Sequence, residues 1–249
     1  MFHVAKDPSL YRQALEREHF RHCSIIYHLY HEGKDRYRTL VDDLEEPRIF
    51  VLEELGGKHI EVRGPKDLAA EYIDSLEPGR YDFHNVERVV YDLVKQRLDV
   101  THDEPALIYR LAKGRFRPSI TEDIVRLKED EAEIVDRNWG LAPDHAWFFR
   151  ERIMGGHVLG VRHGGELVGW IGSYLETDRY SLLGYLHVLE HARGKGIGYS
   201  LASAKVQEVL DRGKTPYGHI WEHNKASIAL NERLGLRQVS WTAWVFGQK

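Results

Sequence analysis

Apolar and polar positions along the chain follow helical and strand spacings by turns. Between Pro8 and Phe20, Leu10, Tyr11, Leu15 and Phe20 keep a helical spacing. Cys23 to Tyr30, with β-rich Ser24-Ile25-Ile26-Tyr27, reads as a strand, and Arg48 to Leu52 as a second. Gly56-Gly57 marks a turn before a third strand, His59 to Val62. Residues 66–76 and 86–97 read as helices. In the latter, Val86, Val89, Val90 and Leu93 form a stripe at i, i+3, i+4, i+7. A further strand covers Leu107 to Leu111, so the first ~115 residues read as a small α+β unit.

The pattern breaks at Lys113 to Pro118, where Gly114, two arginines and Pro118 suit a boundary. Beyond it the elements are more regular. Ile120–Leu127 reads as a strand. Glu129–Trp139 and Asp144–Met154 read as helices joined at Gly140-Leu141-Ala142-Pro143. His157–Arg162, the turn Gly164-Gly165 and Glu166–Leu175 make an antiparallel hairpin, and Ser181–Leu189 continues the meander. A helix over Lys195–Arg212, a strand over Tyr217–Trp221, a helix over Lys225–Leu234 and a strand over Arg237–Val245 follow. The expected order is β-α-α-β-β-β-α-β-α-β. Residues 1–115 and 116–249 are thus expected to be separate domains.

Composition narrows the function. The 249 residues exceed one ordinary domain. The formal charge is −4, from 35 Lys+Arg against 39 Asp+Glu, and neither half has a basic excess, which argues against a nucleic-acid binder. A single cysteine, Cys23, excludes an intramolecular disulfide and a cysteine-rich zinc site, and fits a reducing cytoplasm. No signal-like or 18-residue apolar stretch points to a membrane. Histidine is frequent, at 15. His19, His22, Cys23, His28 and His31 cluster, but strand parity separates His28 from His31 and no acidic partner stands at a motif spacing. They read as scattered polar histidines, and no metal is expected.

Of the 22 glycines, 11 fall between Gly155 and Gly198. The densest segment runs Val188-Leu-Glu-His-Ala-Arg193-Gly194-Lys195-Gly196-Ile197-Gly198-Tyr199, entered by a strand and left by a helix. Amides at a helix start carry a partial positive charge and unpaired N–H groups, and glycines let them converge on a phosphate. Arg193 and Lys195 add charge, so the segment reads as a diphosphate cradle. It lacks the hydroxyl residue of a Walker loop. Its third glycine is one residue early for a dinucleotide fingerprint.

Arg193-x-x-Gly196-x-Gly198 after the fourth strand resembles motif A of the GNAT acetyltransferase superfamily. Asn224-Lys-Ala-Ser227-Ile-Ala-Leu-Asn231-Glu-Arg-Leu234-Gly235 resembles its Asn-x-x-Ser/Ala…Leu-Gly helix, and the element order agrees over about residues 118–247. The small amino-terminal domain and the ending Ser240-Trp241-Thr242-Ala243-Trp244 resemble the glycine N-acyltransferase-like branch. The resemblance implies an α+β GNAT fold, a mixed and mostly antiparallel sheet flanked by helices. The smaller amino-terminal domain is compatible with a degenerate copy of the same fold.

The resemblance further implies an acyl-CoA, acetyl-CoA first, lying where the fourth and fifth strands splay apart, with no metal. Val188 would bond the pantetheine arm through its backbone. The amides of Arg193, Gly194, Lys195, Gly196, Ile197, Gly198 and Tyr199 would hold the diphosphate, and Asn224, with Ser227 on its helix, would lie against pantetheine. An amine attacks the thioester directly. The sequence departs from the family in three places: Glu190 stands where proline is usual, Asn231 where an acidic tyrosine often stands, and Leu182, beside Ser181, where the branch keeps an acidic base. His187 or Glu190 is then expected to relay the proton, with His191 and His219 as further candidates and a water chain as the alternative base, in which case His187 and Glu190 are ordinary strand-end polar residues. Glu222, His223, Trp139, Trp147, Phe148 and Phe149 lie where the acceptor is expected, though aromatics at this density suit a core. The expected function is an N-acyltransferase acting on the amine of a small molecule or amino acid, with a homodimer left open. The alternatives are a non-catalytic CoA-binding sensor and a peptide or protein N-acetyltransferase.

Overall fold

A computed structural model of the chain describes residues 1–31, 36–56, 59–139 and 146–249. The chain forms two compact units, Met1–Leu107 with Ser240–Lys249 (unit 1) and Ile108–Val239 (unit 2). The sequence pattern placed the boundary at residue 115 and assigned the last ten residues to the second domain. They pack in unit 1 because the final strand pairs there, a long-range pairing with no local signal.

Unit 2 holds β7 (Ile124–Arg126), α5 (Ala132–Trp139), α6 (Ala146–Met154), β8 (Val158–His163), β9 (Glu166–Glu176), β10 (Tyr180–Val188), α7 (Ile197–Asp211), β11 (Thr215–Trp221), α8 (Lys225–Leu234) and the start of β12 (Leu236–Gln248). Strands β7 to β10 pair antiparallel in sequence order, and β10 pairs parallel with β11. The expected order is present. The first strand is shorter than Ile120–Leu127 because Ser200 Oγ takes up the Thr121 and Glu122 amides at 3.0 Å each. The expected loop 140–143 lies outside the described residues. Phe149, Ile153, Val158, Trp170 and Tyr185 pack under α5 and α6, while Leu201 and Val206 of α7 are buried on their own helix.

Unit 1 repeats that order. It runs β1 (His3–Val4), α1 (Arg12–Arg17), α2 (Cys23–Tyr30), β2 (Tyr37–Val41), β3 (Phe50–Glu54), β4 (His59–Arg63), α3 (Lys66–Asp74), β5 (Arg80–Val86), α4 (Arg88–Arg97) and β6 (Asp99–Leu111), the last crossing into unit 2. Its sheet order is β1-β2-β3-β4-β5-β12, antiparallel except for β4 with β5. The alternating pleat sends Ile49, Val51, Ile60, Val62 and Phe83 toward α3 and α4 and Phe50 and Leu52 toward α1 and α2. Ala243 and Val245 of β12 complete the α3/α4 side.

Several expected elements differ. Cys23–Tyr30 is a helix, not a strand: Cys23, Ser24, Ile25, Ile26, Tyr27 and Leu29 are all buried, and a short helix buried nearly all round leaves no amphipathic period to read. The helix expected over Pro8–Phe20 is a 3-10 turn, Pro8–Tyr11, followed by α1. Strands β2 and β5 had no counterpart in the sequence reading, and β6 is much longer than Leu107–Leu111. Among the described residues, no helix is long and apolar enough to cross a membrane.

Candidate active site

The site of unit 2 starts from a parting of strands. β10 and β11 stay in register from Tyr180↔Thr215 to Leu183↔Gly218, and there the pairing ends. Both strands continue, β10 to Val188 and β11 to Trp221. On its other side β10 stays paired with β9 as far as Val188↔Gly169. One edge of β10 past Leu183 thus presents backbone without a β11 partner.

A bulge lies in that stretch. The register shifts between Gly184↔Gly172 and His187↔Trp170, with one extra residue on β10. Tyr185 takes φ 39°, a left-handed value rare for a bulky residue. The bulge turns its ring inward, where it is fully buried and its hydroxyl donates to the Ser173 carbonyl at 3.1 Å. Only glycine fits beneath: a Cβ on Gly172 would lie 2.0 Å from the Tyr185 hydroxyl, and one on Gly184 would lie 2.1 Å from the Tyr174 ring. Trp139 donates to the Tyr174 hydroxyl at 3.0 Å, and Phe148 lies 5.7 Å from Tyr174. Burial pushes the Tyr174 and Tyr185 phenols far up, so neither is a base near neutral pH. Phe149 is core, as expected of the aromatic run, whereas Trp147 is exposed.

His187 leaves the bulge on the same side and stacks on Trp170, 4.9 Å apart and 16° from parallel. Burial, and secondarily the Arg193 charge, lower its pKa. The neutral imidazole is the form that takes a proton. After Val188 a short 3-10 turn carries Glu190 and His191, both exposed, with His191 3.4 Å from Glu166. The two candidates are neighbours in sequence but face different surroundings, His187 stacked on Trp170 and Glu190 exposed on the turn.

The glycine loop follows. Gly194 and Gly196 have φ 78° and 86°, and a Cβ on either would meet nothing within 4 Å. The glycines are required by backbone shape, and the space above them is open. Gly196 caps α7; the Arg193 amide donates to the Glu190 carbonyl at 3.2 Å and the Tyr199 amide to the Gly196 carbonyl at 3.0 Å, so these two are not offered to a diphosphate as expected. Arg193 Nε donates to the Val188 carbonyl at 2.9 Å, tying the loop to the end of β10 and engaging the backbone group expected to meet pantetheine. Gly198 lies 3.6 Å from Val188 and 3.8 Å from Leu230 at the Cβ position, so β10, α7 and α8 converge at the loop. Tyr199 is anchored through its hydroxyl on the Arg233 carbonyl at 3.3 Å and under the Arg233 guanidinium.

Asn224 is the N-cap of α8, its Oδ1 accepting from the Ser227 amide at 3.1 Å. Asn231 donates to the Ser227 carbonyl at 2.8 Å and holds the helix. His219, on β11 past the end of the pairing, packs 5.7 Å from Tyr217. The sequence count that ended at Leu182 misses a nearby carboxylate. Ser181, paired with Glu176 across the ladder, donates to it at 3.1 Å. Burial alone would raise the Glu176 pKa; His157, Lys214 and Arg212 outweigh it and hold it below the usual range. Arg212 at 2.8 Å and Lys214 at 3.0 Å make Glu176 a structural ion-pair centre at the opposite end of β10 from His187.

Residues 158–245 match the family model described as FR47-like protein. No curated protein matches the chain. Among solved structures, a Drosophila protein is similar at 19% identity and TM-score 0.73, covering 99% of this chain and 98% of its own. A GNAT-family acetyltransferase from Colwellia psychrerythraea is similar at 14% identity and TM-score 0.65, with all of both chains covered. A tandem GNAT protein from the clavulanic acid biosynthesis pathway is similar at 14% and 0.55, covering 85% and 82%. The fold is that of the GNAT acetyltransferases, and the repeated element order makes it a tandem one.

Proposed function

We propose that unit 2 binds acyl-CoA, with acetyl-CoA the first candidate, and transfers the acyl group to the amine of a small molecule or amino acid. The observation that carries this reading is the parting of β10 and β11 beyond Leu183 and Gly218, directly before the glycine loop that opens α7. The exposed β10 edge suits the amide-bearing pantetheine arm. The amides from Gly194 to Gly198, with the Lys195 charge, suit a diphosphate. The length of the amino-terminal unit and the aromatic ending support the glycine N-acyltransferase-like branch.

In this reading the amine nitrogen attacks the thioester carbon, the C–S bond breaks, and CoA leaves as thiolate. The protein positions the two reactants and takes the ammonium proton. His187 is the favoured proton acceptor, because it is held neutral on the bulge side of β10. Glu190 is exposed and serves at most through water.

Thiol release from acetyl-CoA across a panel of amines and amino acids tests the proposal. Turnover is expected, with His187→Ala reducing kcat at least tenfold and removing the acid limb of the pH–rate profile. Because the His187 pKa is lowered, the wild-type acid limb is expected below pH 6.5. Unchanged turnover and pH dependence in His187→Ala would eliminate His187 as the base. CoA binding without turnover on any amine would favour the sensor reading. Asn231 lends that reading some weight, since its amide is spent on the Ser227 carbonyl and supplies no acidic proton.

A further inference from the structure

Unit 1 has the same element order as unit 2 but lacks the glycine loop: Arg63-Gly64-Pro65 connects β4 to α3, and Pro65 caps the helix without an amide to offer. Its β4 and β5 also part early, after Ile60↔Phe83. The residues past that point differ from those of unit 2. With Ile60 and Val62 directed toward α3 and α4, the pleat directs His59, Glu61 and Arg63 to the α2 side.

There Glu61, fully buried on a central strand, is surrounded by nitrogen and hydroxyl groups. Its Oε1 lies 3.3 Å from His59 Nε2 and 3.6 Å from His28 Nε2, the latter from α2. The two imidazole nitrogens converge on one oxygen, His59 at the long edge of a hydrogen bond and His28 just beyond it. A tetrahedral zinc site with ligand bonds of about 2.0–2.1 Å has ligand atoms about 3.3–3.4 Å apart; the two separations from Glu61 are near that, and all three ligand atoms lie within 4.8 Å of one another. Among the described residues this is the one group of His, Cys, Asp or Glu side chains whose ligand atoms converge within 4.8 Å.

The surroundings orient the three groups. Asn85 Nδ2 donates to Glu61 Oε1 at 3.0 Å, and Ser24 Oγ donates to Oε2, with Arg63 at 3.7 Å from the same oxygen. Asn85 does this from φ 53°, a left-handed backbone value, and its own Oδ1 accepts from Trp244 Nε1 at 3.3 Å. His59 is fixed in plane by His84, stacked 4.1 Å away. Ligand-orienting contacts of this kind accompany metal sites. His28 and His59 keep some exposure, 13% and 16%, so an ion and a coordinating water can reach them.

We infer that unit 1 binds one divalent transition-metal ion of the zinc type through His28 Nε2, His59 Nε2 and Glu61 Oε1, leaving a fourth position for water. The ion would pin α2 to the sheet, at the point where β4 and β5 part. The inference stands apart from the proposed acyl-transfer reading, since every residue it uses lies in unit 1.

The test is a titration of the chelator-stripped full chain with Zn2+ against a chromogenic competitor, and with Co2+ followed by visible absorption. One equivalent per chain is expected, with the intense absorption of four-coordinate Co2+. His28→Ala and His59→Ala are each expected to weaken binding at least tenfold, and His163→Ala to leave it unchanged. Circular dichroism checks that each variant is folded. Crystals of the wild-type chain soaked in Zn2+ give a readout that needs no variant: an anomalous peak between the three ligand atoms is expected. Absence of stoichiometric binding, equal binding by a folded His28→Ala/His59→Ala chain, or zinc seated elsewhere would overturn the inference.

Discussion

At the scale of single residues, conformational and titration constraints give direct predictions. Gly184→Ala would drive a Cβ into the Tyr174 ring, and nothing flexible stands there to yield. A loss of about 1–3 kcal/mol is expected from such overpacking, read by urea unfolding. CoA affinity should fall with it, because the bulge shapes the edge of β10. His22 gives a pH prediction. Burial, then the Arg63 and Arg21 charges, lower its pKa to about 4. The unfolded chain binds this proton near pH 6.5 and the folded chain only near 4. Stability therefore falls as pH drops from 6.5 toward 4 and levels below. His22→Phe, beside the Phe50 ring, should flatten that part of the curve measured by fluorescence-detected denaturation at stepped pH. The same scale shows why the metal-type cluster was hidden. His28 was read against His31 on an assumed strand, whereas its partners His59 and Glu61 lie on β4, some thirty residues further on. No local spacing announces such a pairing.

At the scale of elements, the second half was legible and the first was not, for identifiable reasons. In unit 2 the turns are marked by Gly164, Gly165, Gly194, Gly196 and Gly235, each at positive φ, and the helices between them carry exposed faces. In unit 1 helix α2 is short and buried, and β5 mixes Arg80, Asp82, His84 and Asn85 into its pattern because one side of it faces a polar cluster instead of a core. The glycine loop and the α8 motif were both placed correctly as elements, but the bulge at Tyr185 was not foreseen; only the glycines at 172 and 184, opposite one another, hinted at it. A prediction at this scale concerns the end of α8. Gly235 has φ 102°, and a Cβ there would lie 2.0 Å from the Arg115 carbonyl. Gly235→Ala combines backbone strain with a clash against main chain, and should cost more than Asn224→Ala, whose lost cap is worth about 1 kcal/mol. Thermal unfolding of the two variants orders them.

At the scale of the whole molecule, tandem GNAT units explain a length that one such domain would not fill. Among the described residues, unit 2 has a glycine loop before α7, whereas unit 1 has Pro65 at the start of α3 and histidine, glutamate and asparagine where its β4 and β5 part. One CoA per chain is therefore expected by equilibrium dialysis, and Gly196→Ala should abolish most of that binding. A second CoA persisting in this variant would place a site in unit 1. The strand β12 makes unit 1 discontinuous, since Ala243 and Val245 are fully buried in its core. A fragment of residues 1–107 should remain unfolded by circular dichroism until a peptide of residues 240–249 is added, and then gain cooperative melting.

That discontinuity also fixes an order of events during synthesis. Although its first residues are made early, unit 1 cannot close its sheet until Ser240–Lys249 has left the ribosome, after all of unit 2 has been made. The edge of β5 must wait unpaired through that interval. The nascent amino-terminal half is therefore expected to be the stage most exposed to aggregation, and unit 2, contiguous in sequence, the first part to become native.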